Sequence, residues 1–173
     1  MGTDISHFGK VLGGIDDLNK VSENLNVIIA LGDSETRKNV YGKILNKNIS
    51  FPNICHPGFS IDEISVKMGI GNVITHEKTL SCDIEMGDFN MFNSKSASVG
   101  HDVKIGSFNS FMPMTAISGN VKIGDCNYFG VNSVVLPKVK IGDNTKISSG
   151  SVVYRNTKND SLYMGNPAKK FNY

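Results

Sequence analysis

The 173-residue sequence contains no tryptophan, only 8% aromatic residues and just three cysteines. Cys55, Cys82 and Cys126 lie 27 and 44 residues apart, and no CxxC spacing occurs. They read as reduced thiols, which excludes a disulfide framework or a cysteine zinc site. A large charge of one sign is also missing. A formal net charge of +2 is too small to argue for a nucleic-acid or membrane surface. No stretch approaches the roughly 20 apolar residues of a membrane span, and the opening MGTDISHFGK has no apolar signal core. Neither GxGxxG nor GxxxxGKS/T is present, so no glycine-rich phosphate loop can be placed. The expectation is a soluble, cytoplasmic protein with neither a nucleic-acid nor a membrane partner.

What the sequence has is glycine, 18 of them, and a repeat. VKIG recurs every 18 residues, at Val103, Val121 and Val139. Inside that period lies one of six: Ile105, Phe111, Ile117, Ile123, Phe129, Val135, Ile141, Ile147 and Val153 follow one another without a break. Four positions after each comes a small or β-branched residue, such as Asn109, Thr115, Val121 and Asn127. A helix of period 3.6 cannot keep a six-residue apolar register on one face. A triangular parallel β-helix can, with three six-residue flats per coil and glycines relieving the corners. The register continues upstream through Val99, Phe92, Met86, Leu80, Ile74 and Met68, giving roughly five coils of about 18 residues each. One extra residue between Phe92 and Val99 predicts a small bulge.

Residues 1–60 lack the repeat. NVIIALG (Asn26 to Gly32) reads as a buried strand, and DSETRKNVYGKIL as a helix capped by Asp33 or Ser34. Ile15 to Glu23 suggests another short helix, and Ile49 to Cys55 a second strand. The helix start after Gly32 would present amides to an anion, although Gly32 could equally just make the turn. Two strands do not make a stable sheet, so this piece must lean on the β-helix or on a neighbouring subunit. The domain reading is therefore a partial α/β (Rossmann-like) fragment over 1–60, a β-helix over 61–155 and a polar closing segment over 156–173.

Within the repeat, VGHDVKIG places a histidine beside an aspartate, His101 and Asp102. An imidazole moves protons near neutral pH, and a carboxylate partner can fix its tautomer. Neighbours on a strand point to opposite faces, so only a corner or bulge would bring the two side chains together. His7, His56 and His76 have no comparable context and read as surface or turn residues. The closest histidine pair is 20 residues apart, which argues against a three-histidine zinc site, so no metal is expected.

The segments LGGIDDL, IIALGDSETRKNVYGKI, ASVGHDVKIG, GNVKIGD, GVNSVVLPKVKIGDN and MGNPAKKF carry a resemblance. In this order they resemble the hexapeptide-repeat acetyltransferases, in particular bacterial sialic acid O-acetyltransferases and UDP-4-amino-sugar N-acetyltransferases. The resemblance implies a left-handed β-helix, acetyl-CoA as co-substrate, a sugar or sugar-nucleotide acceptor, and a homotrimer with active sites between adjacent β-helices. It implies His101 as general base, Asp102 as its orienter and Gly119 as the amide near the thioester. Gly165, Pro167, Ala168 and Lys169 match residues that close over CoA, and Val131 and Ser149 match coil contacts to CoA. Ser110 stands where the family often has a second histidine near the acetyl group. Gly32 matches a sugar-nucleotide contact, and Asn93 a residue before the catalytic motif, here one position further from His101. The family's first βαβ unit has no counterpart, so the N-terminal fragment is expected to be truncated. Two other readings stay open: the same chemistry on another small amino or hydroxyl metabolite, or a non-catalytic β-helix scaffold or partner subunit.

Overall fold

A computed structural model describes residues 4, 7, 9–59, 64–75, 80–93 and 97–171. His76 and the expected boundary at residues 60 and 61 lie outside the described residues. Most of the chain winds as a three-sided parallel β-helix. The first face stacks Ile54–Cys55, Val73–Ile74, Met91–Phe92, Ser110–Phe111, Tyr128–Phe129, Thr145–Ile147 and Ser161–Met164. The second stacks Val66–Met68, Ile84–Met86, Lys104–Ile105, Lys122–Ile123 and Lys140–Ile141. The third stacks Ser98–Val99, Ala116–Ile117, Val134–Val135 and Val152–Val153.

The six-residue register is the core. Phe111, Phe129, Val135 and Ile147 are fully buried, and each apolar residue lies over its counterpart one coil away. Phe92, Phe111 and Phe129 stack with centroids 4.4 and 4.8 Å apart. The positions four residues on are also inward. Asn72, Asn90, Asn109 and Asn127 are buried, and the side-chain oxygen of each accepts the backbone N–H of the residue one coil above, at 2.7–2.9 Å. This ladder satisfies amides that a purely apolar corner would leave unpaired.

The corners differ from expectation in one respect. The left-handed backbone positions are mostly not glycines: apart from Gly71 and Gly150 they are residues such as Asp102, Phe108, Met114, Asn120, Cys126 and Asn132, with φ between 56° and 63°. Gly106, Gly124 and Gly142 precede them because the next coil passes too close for a Cβ. The extra residue lies where the spacing put it. Phe92 pairs with Phe111, 19 residues on, whereas Val99 pairs with Ile117, 18 on. Residues 94–96, within that interval, are outside the described set.

In the N-terminal unit, β1 (Leu25–Asn26) and β2 (Ile49–Ser50) pair in parallel around α2 (Ser34–Lys43). Asp33 is the N-cap, accepting the Thr36 amide at 2.8 Å. The first helix, α1 (Ile15–Leu18), is shorter than predicted. Asn19 ends it by turning to α2, donating to the Lys43 carbonyl and accepting the Leu45 amide. The second strand is split: Pro52 offers no N–H, and Ile54–Cys55 beyond it joins the first face of the β-helix.

This unit does lean on the solenoid. The corner residues Phe89 and Phe108 pack with Ile29, Val40, Tyr41 and Phe51 in a second core. Tyr41 and Phe51 lie 4.3 and 5.2 Å from the ring of Phe89. A left-handed phenylalanine costs about 1–2 kcal/mol, and burying its ring offsets that.

Candidate active site

His101 follows the rung Ser98–Val99 at the corner between the third and second faces. The left-handed φ of Asp102 (57°) turns the chain so that adjacent side chains share one side. Nδ1 of His101 lies 2.6 Å from Oδ2 of Asp102. Both side chains are more than half exposed, so a ligand can reach them. With Nδ1–H donating to the carboxylate, Nε2 is left with its lone pair. That nitrogen lies over Gly119 on the next coil, where a Cβ would come within 2.7 Å of it. The corner is fixed by the Asn120 amide donating to the His101 carbonyl at 2.9 Å, and by the Asp102 amide donating to the Cys82 carbonyl at 3.2 Å. An oriented imidazole with a free nitrogen above a bare backbone can accept a proton from a group held there.

Not every expected residue joins this corner. Val131 and Ser149 are exposed near the corner between the first and third faces, marked by Met114, Asn132 and Gly150. Asn93 is exposed after the rung Met91–Phe92, with its side chain toward Met112 Sδ at 4.0 Å. The third face separates them from His101 in one chain. Its outward column is Ser98, Ala116, Val134 and Val152, without a charge.

Ser110, expected among the cofactor contacts, does not reach the surface in this chain. It is fully buried, and its hydroxyl donates to the Gly32 carbonyl at 2.7 Å and accepts from Arg37 at 3.0 Å. Ser110 thereby ties the N-terminal unit to the coil. Gly32 itself is exposed, without a left-handed φ, and a Cβ there would meet nothing within 4 Å. Neither the turn nor packing demands a glycine at that position.

Ser161–Met164 turns at Gly165 (φ 99°) into the antiparallel strand Lys169–Phe171. Gly165 N–H donates to Ser151 Oγ at 3.1 Å, and Ala168 N–H to the Val152 carbonyl at 2.8 Å. Pro167, Ala168 and Lys169 line a cavity of about 700 Å³ together with Tyr154 and Arg155. Sequence reasoning missed those last two because the repeat register stops there. It also missed Arg37, buried on α2, whose only signal is helical spacing from Ser34 and Tyr41. Among the described residues no group of three or more His, Cys, Asp or Glu could hold a metal ion. No described helix is long and apolar enough to cross a membrane.

Residues 120–155 match the family model of the bacterial transferase hexapeptide (six repeats). That repeat marks the solenoid as a left-handed β-helix, as the resemblance implied. No curated protein matches the chain. Among solved structures, a mutant of perosamine N-acetyltransferase from Caulobacter crescentus, in complex with CoA and GDP-perosamine, is 28% identical. That match covers 86% of this chain and 70% of the other, with TM-score 0.80. The acetyltransferase domain of PglB from Neisseria gonorrhoeae, in complex with acetyl coenzyme A, shares the fold. It is 21% identical, covers 99% of this chain and 83% of that one, and has TM-score 0.89. WeeI from Acinetobacter baumannii does so at 22% identity, over 99% and 82%, with TM-score 0.78.

Proposed function

We propose that this chain, built on the transferase hexapeptide repeat, is an acetyl-CoA-dependent acetyltransferase acting on a sugar nucleotide. The observation that carries the reading is the His101–Asp102 pair, with Nε2 free above Gly119. It is supported by the 28% identity to an enzyme bound to CoA and GDP-perosamine. His101 takes a proton from the acceptor nitrogen or hydroxyl as that atom attacks the thioester carbonyl carbon. The new bond to the acyl carbon forms, the carbon–sulfur bond breaks, and the imidazolium returns its proton to the leaving thiolate. Asp102 holds the ring and stabilises its charged form. Acetylation of an amino group is favoured over O-acetylation of a sialic acid because the 28% identical structure is an N-acetyltransferase.

Within one chain the uncharged third face lies between His101 and the Val131–Ser149 corner. Packing three chains through that face would bring one chain's histidine corner to its neighbour's Val131–Ser149 corner. A homotrimer with shared sites is the assembly we assign. In it Gly165, Pro167, Ala168 and Lys169, joined by Tyr154 and Arg155, would close over CoA, with the two cations suited to its phosphates. Gly32 would face the acceptor, being exposed with open space beside its Cα. The division 1–60, 61–155 and 156–173 remains our reading by role, with the first face running past both boundaries, from Ile54–Cys55 to Ser161–Met164. Three unpaired cysteines and a need for acetyl-CoA support a cytoplasmic setting.

The test is a mass-spectrometric screen of GDP-perosamine, a UDP-4-amino-sugar and sialic acid with acetyl-CoA. Gain of one acetyl group on a sugar nucleotide is expected. Acetylation of sialic acid alone would overturn the acceptor class. No product together with no acetyl-CoA binding by calorimetry would make the chain a scaffold.

A further inference from the structure

We infer that Arg37 is a positioning residue for the acceptor, bolting the Leu31–Ser34 turn to the β-helix. The inference rests on the reading of Gly32 as an acceptor contact. Arg37 is 1% exposed, on the face of α2 toward the solenoid. Its guanidinium donates to two carbonyls of the turn, Leu31 at 2.5 Å and Gly32 at 3.4 Å. It also donates to three acceptors on the coils: the Phe89 carbonyl at 2.9 Å, the Asn109 carbonyl at 3.0 Å and Ser110 Oγ at 3.0 Å. None of these five is a carboxylate. Burial lowers the guanidinium's pKa to about 10, so the group stays charged at neutral pH.

Burying a cation among neutral acceptors is expensive, and an apolar side chain of similar volume often serves stability better. What an apolar side chain could not do is fix a rigid fork between two pieces of backbone. Here one end of the fork holds the turn and the other spans two coils. Two hydroxyls reinforce it: Ser110 donates to the Gly32 carbonyl, and Ser34 donates to the Asn127 carbonyl at 3.1 Å. The turn's carbonyls therefore point inward, which leaves the open side of Gly32 outward. The apolar core around Phe89 includes Val40 and Tyr41 and would keep α2 attached without Arg37, whereas the hydrogen bonds to the turn's Leu31 and Gly32 carbonyls come from Arg37 and Ser110.

The variants are Arg37→Met and Ser110→Ala, the second being the milder should the first not fold. GDP-perosamine is the acceptor probe. Loss of registration should raise its KM about tenfold in Arg37→Met, in line with the cost of a misplaced positioning group, and less in Ser110→Ala. The KM for acetyl-CoA and kcat should hold. Hydrogen exchange without substrate should quicken at residues 31–36 in both variants and stay unchanged over 104–153. Equal rises in both KM values with a lowered Tm would make Arg37 merely structural and overturn the inference, as would unaltered exchange at the turn. A wild type inactive on GDP-perosamine, with the turn loosened in both variants, would sink the acceptor reading and leave the anchoring standing. An active wild type whose GDP-perosamine KM ignores both variants would sink Arg37's role.

Discussion

The imidazole of His101 occupies space that a side chain on Gly119, one coil away, would need. Gly119→Ala would put a methyl 2.7 Å from the present position of Nε2. The ring is exposed and can swing clear, so folding should survive while the base is displaced. A displacement of about 1 Å can cost 10²-fold, so kcat should drop by about one to two orders of magnitude with little change in Tm. Steady-state kinetics beside a thermal melt checks both.

His101→Ala should lower kcat by about 10²- to 10⁴-fold. Acetyl-CoA affinity should hold, since the base acts on the acceptor's proton. Calorimetry on the same preparation separates the two effects, and a mutant with most of its turnover would remove His101 from the mechanism.

The N-cap Asp33 accepts both the amide and the hydroxyl of Thr36, and those bonds hold its carboxyl below the usual range. A lowered folded pKa stabilises the protein above the unfolded value near 3.9, and that contribution fades as pH falls through the lower folded value. Asp33→Ala should cost about 0.5–2 kcal/mol in urea unfolding at neutral pH, and Asp33→Asn much less. The difference between wild type and Asp33→Ala should shrink below the ordinary carboxylate range.

The ring stack of Phe92, Phe111 and Phe129 sits in the solenoid interior. Phe111→Ala leaves a cavity bounded by rungs above and below that cannot collapse without breaking register. About 3–5 kcal/mol is expected, read by denaturant unfolding.

Val134→Arg would place a charge in the middle of the uncharged third face. Wild type should run as a trimer by light scattering and the variant as smaller species, with weakened acetyl-CoA binding. A wild-type monomer at micromolar concentration would end the shared-site account.

The solenoid was legible because its information is one-dimensional. A six-residue period fixes which side chain faces in, and Ile105 to Val153 all obeyed it. The His101–Asp102 contact was half legible: the pair stood out, but the left-handed φ that joins them is a corner property. Ser110 and Arg37 were hidden, because their partners lie 78 and 52 residues away and no local pattern encodes such distances. The split at Pro52 could have been read from the missing amide alone. Tyr154 and Arg155 follow the last regular rung, where periodicity has nothing more to say.

A stack of parallel rungs is a template at each end, because its terminal strand presents unpaired amides and carbonyls to any passing chain. On the first face that danger is met by the strand Lys169–Phe171, which runs antiparallel to Ser161–Met164. The reversal breaks the repeat that a second solenoid would have to continue, and Lys169 and Lys170 put like charges on the outer edge. The same segment walls the Tyr154–Arg155 cavity, so one short hairpin covers the end of this face and shapes the site proposed for CoA. Removing it should free the end of the column to join others, with fibrous self-association accompanying loss of the coenzyme binding proposed there.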